Sequence, residues 1–121
     1  MYIDYIKTIE QDYPDKRDQA YFMVGVYYYE IEQYQKSLAC FMKSLYCTDK
    51  DSLATADCHF NQAIVWKKLG YLLKAVGHLE AALETRREKV GAVSLTVSDV
   101  LEVLGKFYIE LKDYRKAYKV L

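Results

Sequence analysis

The sequence predicts an all-α protein built as an α-solenoid, in which antiparallel helix pairs stack side by side. Three observations support this. First, one pattern of large, small and aromatic residues occurs three times. Its slots are Tyr21, Val24, Gly25, Tyr28, Ile31, Tyr34, Ser37 and Phe41; then His59, Gln62, Ala63, Trp66, Leu69, Leu72, Ala75 and Leu79; then Leu101, Leu104, Gly105, Tyr108, Leu111, Tyr114, Ala117 and Leu121. Second, apolar residues recur at helical spacing along nearly the whole chain. Third, no stretch shows the sustained alternation of a half-buried strand. A period kept over a whole chain means that each unit buries its apolar face on its neighbour, not in one closed core. Such a design favours a binding surface over a catalytic pocket.

The elements follow in order. A first helix is expected over about 2–11, ended ahead of Pro14, which disfavours helical geometry in the residue before it. Asp15 is placed to cap a second helix over about 16–30. The run 20–29 is rich in β-formers, but its register with 62–66 and 104–108 assigns it to helix. A third helix is expected over 34–47. Asp49 or Asp51 can cap a long fourth helix reaching Leu69, and Gly70 supplies the left-handed residue that stops it. A fifth runs from Leu72 to about Val90, ended by Gly91. Ser94 or Thr96 can start the sixth, which reaches Leu111, and a last helix begins near Asp113. Glycine inside a helix is less favourable than Ala by about 1 kcal/mol. Gly25 and Gly105 therefore mark close helix approaches, with Ser37, Ala75 and Ala117 as the small partners from the second helix of each pair.

Composition narrows the function. The 121 residues suit one domain. Lys plus Arg and Asp plus Glu are 17 each, so the net charge is zero. A nucleic-acid binder shows a basic excess, so DNA and RNA are not expected partners. No apolar run approaches the roughly 20 residues of a membrane helix. The start, Met1-Tyr2-Ile3-Asp4-Tyr5, lacks the basic and apolar stretches of a signal peptide. No membrane partner and a cytoplasmic location are expected. Cys40, Cys47 and Cys58 are an odd set without paired metal spacing, and read as reduced core residues. The 13 tyrosines suit helix pairs beside solvent, where a ring fills space and its hydroxyl reaches a polar rim.

The repeated slots resemble the tetratricopeptide repeat, whose pattern is aromatic-x-x-Leu-Gly-x-x-Tyr on one helix and Ala-x-x-x-Phe on the next. Tyr21-x-x-Val24-Gly25-x-x-Tyr28 and Leu101-x-x-Leu104-Gly105-x-x-Tyr108 fit the first half. Ser37-x-x-x-Phe41, Ala75-x-x-x-Leu79 and Ala117-x-x-x-Leu121 fit the second. The middle repeat departs from it, with His59 for the aromatic and Gln62-Ala63 for Leu-Gly. Tyr2-x-x-x-Ile6 followed by Pro14 falls where the second half of an earlier repeat belongs. The expected division is a half repeat over 1–14, then repeats over about 18–50, 51–92 and 93–121, the last truncated. Tyr28 to Trp66 is 38 residues and Trp66 to Tyr108 is 42, against about 34 in the standard repeat. Segment 82–91, Ala-Leu-Glu-Thr-Arg-Arg-Glu-Lys-Val-Gly, is similar to kinesin-light-chain-type repeats, a long-period subclass.

The resemblance implies a right-handed superhelix of about three repeats plus the leading half repeat. It also implies that the first helix of each pair lines an inner wall. The faces left for that wall are Gln19, Phe22, Met23, Val26, Tyr29 and Glu30; Asp57, Phe60, Asn61, Ile64, Lys67 and Lys68; and Asp99, Glu102, Val103, Lys106, Ile109 and Glu110. Phe22, Met23, Val26 and Tyr29 form an apolar stripe with Phe60 and Ile64 beside it. An exposed stripe of that kind marks a partner site; the alternative is that a neighbouring helix of the same protein covers it. As a partner site it would take an apolar helix or extended peptide. Asn61 would bond the peptide backbone, and Lys67, Lys68 and Lys106 would meet carboxylates, beside Glu102. The expected function is an adaptor or scaffold that binds protein; the alternative is a sensor or regulatory domain for a short signalling peptide. A two-carboxylate clamp for chaperone tails is not expected. Only Asn61 falls in a clamp slot, while Phe22, Val26, Asp99 and Val103 occupy others.

No reactive constellation appears. Cys58 and His59 are adjacent and diverge by about 100° on a helix, and His78 is far along the chain, so no metal is expected. Cys40 and Cys47 share a helix face as packing residues. There is no glycine-rich phosphate loop and no Gly-x-Ser-x-Gly, so neither catalysis nor a cofactor is expected. Segment 84–89, with Arg86 and Arg87, reads as an exposed face with local ion pairs. Tyr114, Tyr118 and Leu121 look poorly covered. Either the chain is a piece of a longer solenoid or it self-associates through this terminal helix.

Overall fold

The computed structural model describes residues 2–49, 52–91 and 94–120. It contains α1 (Tyr2–Asp12), α2 (Arg17–Glu30), α3 (Tyr34–Cys47), α4 (Leu53–Lys68), α5 (Leu72–Val90), α6 (Leu95–Glu110) and α7 (Tyr114–Val120). A 3₁₀ turn, Pro14–Lys16, joins α1 to α2. No strand occurs among the described residues. The segment 20–29 is helical throughout, despite its β-formers. Asp51, a candidate cap, and Leu121, the last slot of the third repeat, lie outside the described residues.

The architecture is a series of packed consecutive pairs, the α-solenoid arrangement. Helix α2 lies along α3, α4 along α5 and α6 along α7, while α3–α4 and α5–α6 contacts join the pairs and α1 packs on α2. Two apolar clusters replace a single core. Leu38, Phe41 and Val65 form one between the first pair and α4. The other runs through α4 to α7 and includes Ala63, Ala75, Leu79, Val100, Leu104, Phe107 and Tyr108. Trp66 packs against both and bridges them.

Small residues bring the paired helices together. Ser37 Oγ donates to the Gly25 carbonyl at 2.7 Å, and Ser44 Oγ to the Asp18 carbonyl at 2.6 Å. Two serines seven apart on α3 thus stitch two carbonyls seven apart on α2, which requires antiparallel helices. A Cβ on Gly25 would lie 2.8 and 2.9 Å from ring carbons of Phe41. That ring is fully buried and meets the edge of Phe22 at 5.5 Å, so it has no room to yield. In the second pair Ala63, Ala75 and Ala82 fill the equivalent close approach with no polar bond, and all three are fully buried.

Each pair closes through one turn geometry. The amides of Gln33, Tyr71 and Asp113 donate to the carbonyls of Tyr28, Trp66 and Tyr108, at 2.8 to 2.9 Å. The preceding residues, Glu32, Gly70 and Lys112, take positive φ of 63°, 90° and 61°. This is the Schellman ending, with the bonds of Glu32, Gly70 and Lys112 to Tyr29, Lys67 and Ile109 completing it. Glycine fills that position at Gly70 as expected; Glu32 and Lys112 accept it without glycine's freedom.

The starts differ in part from expectation. Asp15 lies within the 3₁₀ turn and does not cap α2, whose N-cap is Lys16 with no side-chain bond. Ser52 caps α4, its Oγ accepting from the Thr55 amide at 3.2 Å, and Ser94 caps α6 by the same bond to the Val97 amide. Ser52 and Ser94 cap because each stands directly before the first helical residue with an extended backbone, which aims its Oγ at the third amide. Asp49 contributes its carbonyl instead, to Thr55 Oγ1.

Two tyrosine hydroxyls reach back from the first helix of a pair to the preceding helix. Tyr21 donates to Glu10 at 3.1 Å and Tyr108 to Glu80 at 2.9 Å. Burial first, then the Glu80 carboxylate, pushes the Tyr108 hydroxyl up to about 12. Gln62 is the exception to this polar matching. It occupies the slot of a repeat leucine, is only 3% exposed, and its Oε1 has no hydrogen-bond partner.

Two predictions follow from the packing. Gly25→Ala should lose about 1–3 kcal/mol by overpacking Phe41, whereas Gly77→Ala, with no atom near its would-be Cβ, should gain about 0.5–1 kcal/mol of helix propensity. Urea melts of both variants decide this, and a stabilised Gly25→Ala would refute the close approach. Gln62→Leu should raise stability by about 1–3 kcal/mol, because it removes an unsatisfied buried oxygen; a lowered melting temperature would show that the amide is satisfied in solution.

Candidate functional site

The first helices of the three pairs lie side by side. Helix α2 touches α4, and Lys67 Nζ on α4 reaches Glu110 Oε1 on α6 at 3.3 Å. Their shared face carries the side chains singled out from the sequence. Phe22, Val26 and Tyr29 are half-buried against the Leu38–Phe41–Val65 cluster, and Phe60 and Ile64 against the second cluster. The apolar stripe therefore has one side in the core and one side open. Met23 departs from this and is 62% exposed.

The polar members are partly engaged within the chain. Asn61 Nδ2 donates to the Asp57 carbonyl at 2.9 Å, one turn back on α4. Lys67 pairs with Glu110 and stands over the Phe107 ring at 5.6 Å. Lys106 pairs with Glu102 at 3.2 Å along α6. Lys68 is exposed and carries no ion pair among the described residues.

Phe22 and Met23 come together with Asp18, Gln19 and Asp57 around a hollow of about 320 Å³. Ser44 and Thr48 from α3 and Ala54 and Cys58 from α4 complete it, and its walls are mainly apolar. Burial pushes the Cys58 thiol up, against a smaller opposing effect of its bond to Ser44. Hollows of similar size lie beside Tyr21 and beside Tyr108, but Lys43 and Glu10 line the former and Glu80 and Lys116 the latter. Of the residues around this hollow, sequence reasoning places Gln19, Phe22, Met23 and Asp57 on the inner wall, and does not place Asp18, Ser44, Thr48, Ala54 and Cys58 there. The signal for Ser44 was its seven-residue spacing from Ser37, which puts it on the same α3 face.

Arg86 contradicts the reading of 84–89 as an exposed face. It is 8% exposed. Its Nη2 donates to Asp57 Oδ1 at 2.8 Å and its Nη1 to the Thr96 carbonyl at 3.1 Å, and the guanidinium stacks 5.1 Å from the Phe60 centroid. One side chain from α5 thus ties α4 to the start of α6. Glu84, Arg87, Glu88 and Lys89 are exposed as expected.

His78 is likewise not remote from His59. Their Nδ1 atoms are 3.0 Å apart across the α4–α5 contact. Burial lowers the affinity of both rings for a second proton; for His78 the charges on His59 and Lys74 add to it. All three cysteines are free thiols. Among the described residues, no helix is long and apolar enough to cross a membrane.

This succession of pairs is a tetratricopeptide-repeat fold. The tetratricopeptide repeat family model matches residues 18–47, the α2–α3 pair. Among solved structures, BtubC (BKLC) from P. vanneervenii, a kinesin-light-chain-like protein of such repeats, superimposes with a TM-score of 0.89 over 98% of this chain, at 22% identity. The chain spans 50% of the length of that structure. No curated protein matches the chain in sequence.

The Arg86 clamp yields a graded prediction. Asp57 is half exposed but its partner guanidinium is buried, so Asp57→Asn, which keeps an acceptor oxygen and loses the opposing charge, should lose about 0.5–1.5 kcal/mol. Arg86→Met forfeits the Thr96 bond and the Phe60 stack as well, and should lose about 1.5–3 kcal/mol. Equal losses in urea melts would mean that the ion pair alone carries the clamp.

Proposed function

We propose that this chain is an adaptor or scaffold module, and that the wall made by α2, α4 and α6 holds an apolar helix or extended peptide of a partner protein. Tetratricopeptide repeats generally mediate protein–protein interaction and are typically non-catalytic. The observation that carries the finer reading is the apolar hollow at Phe22 and Met23. Phe22 is held by Phe41 from behind, while Met23 stands open at the mouth. A rigid aromatic beside an adaptable thioether is a suitable seat for one large apolar side chain of a ligand. Phe60 and Ile64 extend the apolar surface onto α4. Asn61 has its Oδ1 left for a peptide N–H, and Lys68 is available for a carboxylate.

The test is selection of peptides from a displayed library on the whole chain, followed by affinity measurement. Met23→Glu should weaken the selected peptides at least tenfold while the helical spectrum stays unchanged. Tyr46→Glu, on α3 at 91% exposure, should leave affinity as it is. Selected peptides that bind Met23→Glu as well as the native chain would refute this site.

A further inference from the structure

The α4–α5 contact holds a juxtaposition that the binding wall does not use. His59 and His78 point their Nδ1 atoms at each other at 3.0 Å, with ring centroids 5.2 Å apart and planes tilted by 31°. At that centroid separation the two nitrogens face nearly in line, the arrangement of an N–H···N hydrogen bond. One imidazole presents Nδ1–H and the other a bare Nδ1. Both rings are half-buried, and no carboxylate pairs with either among the described residues. Such a pair is held together by a single proton, and a metal ion can take the place of that proton.

We propose that His59 and His78 form a two-histidine chelate for a divalent transition-metal ion of the zinc, nickel and copper class, bound through both Nδ1 atoms. Neutral imidazole is a preferred ligand of this class. Two metal–nitrogen bonds of about 2.0–2.1 Å bring the nitrogens to about 2.9 Å at a right angle and about 3.3 Å at the tetrahedral angle. The observed 3.0 Å lies in that range before any ion is present. Because the nitrogens now face nearly in line, each ring must turn by roughly 40° for both lone pairs to meet on one ion at that bond length. The donor ring exchanges its Nδ1 proton for one on Nε2, so the N–H···N bond breaks, two coordinate bonds form, two metal-bound waters leave, and no net proton is released. No third His, Cys, Asp or Glu joins the pair among the described residues, so water completes the coordination. The cation whose charge acts on His78 is Lys74, and its ammonium is turned onto Trp66, 4.4 Å from the ring centroid, and Tyr71. A bound ion would cross-link the two helices of the second pair.

The experiment titrates the full chain with Cu²⁺, Ni²⁺ and Zn²⁺ separately by calorimetry at neutral pH, with thermal melts and histidine NMR in parallel. One ion per chain is expected, with a metal-dependent rise in melting temperature. His59→Gln and His78→Gln should each weaken binding at least tenfold, and the double variant should abolish it. Imidazole shifts of both rings should move together in the native chain, a readout that survives even if a variant folds poorly. No binding of any of the three ions below about a millimolar, or one-to-one binding kept by the double variant, would overturn the proposal.

Discussion

The distance between the two helices of a pair is the constraint on which the rest depends. It is set where a residue with little or no side chain meets another, at Gly25 with Ser37 and at Ala63 with Ala75. Because Gly25 has no Cβ, Phe41 lies flat against the α2 backbone, and Ser37 can reach the Gly25 carbonyl. The aromatic slots then fill the space between pairs, with Trp66 touching both apolar clusters. The position of one pair therefore propagates to the next by contact, as a stacked array requires. The serine stitches add direction that alanines cannot: they bind particular carbonyls and fix how far α3 can slide along α2.

This also explains what could be read from the sequence. The small and aromatic slots are chemically distinctive and recur in phase, so the helix pairs and the limits of α3 and α5 were legible. Gly70 announced its turn because a left-handed residue is usually glycine. The matching turns at Glu32 and Lys112 gave no such sign, since the repeated Schellman bonds hold those residues in a conformation that their type does not suggest. Ser94 is among the starts expected for α6 and caps it; at α4 the start is legible to within a few residues, but which residue caps depends on backbone angles that composition does not encode.

The candidate site was legible in outline only. The family resemblance puts the first helix of each pair on the inner wall, and helical phase then places Phe22, Val26, Phe60 and Ile64 on one face of it. Depth does not follow from phase, because it depends on which side chains the neighbouring helix brings up. Ser44 and Cys58 reach the hollow from α3 and α4, and no local spacing joins them to Met23. Arg86 shows the same limit more sharply. Its neighbours Glu84, Arg87 and Glu88 made a charged run, and a charged run is normally solvated. Arg86 is buried because Asp57, 29 positions earlier, and the Thr96 carbonyl meet it there. The histidine pair is a third case: a separation of 19 residues becomes a direct contact once α4 and α5 fold back on each other.

The proposed binding mode gains from these internal links, because they decide which wall residues are free to respond to a ligand. The Lys67–Glu110 pair is exposed on both sides, so it contributes about 0–1 kcal/mol and a partner's charge can replace it with little loss. Lys106 and Glu102 stand in the same position on one helix. The Arg86 clamp is different: its guanidinium is buried, and moving it would leave the charge without water or partner. Asp57 is therefore held at the rim by Arg86 and not available as a mobile counter-charge. A ligand on this wall would meet a fixed aromatic at Phe22, an adaptable side chain at Met23, the exposed ammonium of Lys68 and two surface pairs that can open. On the proposed reading, a wall held by these links leaves little ordering cost to oppose the binding of a ligand.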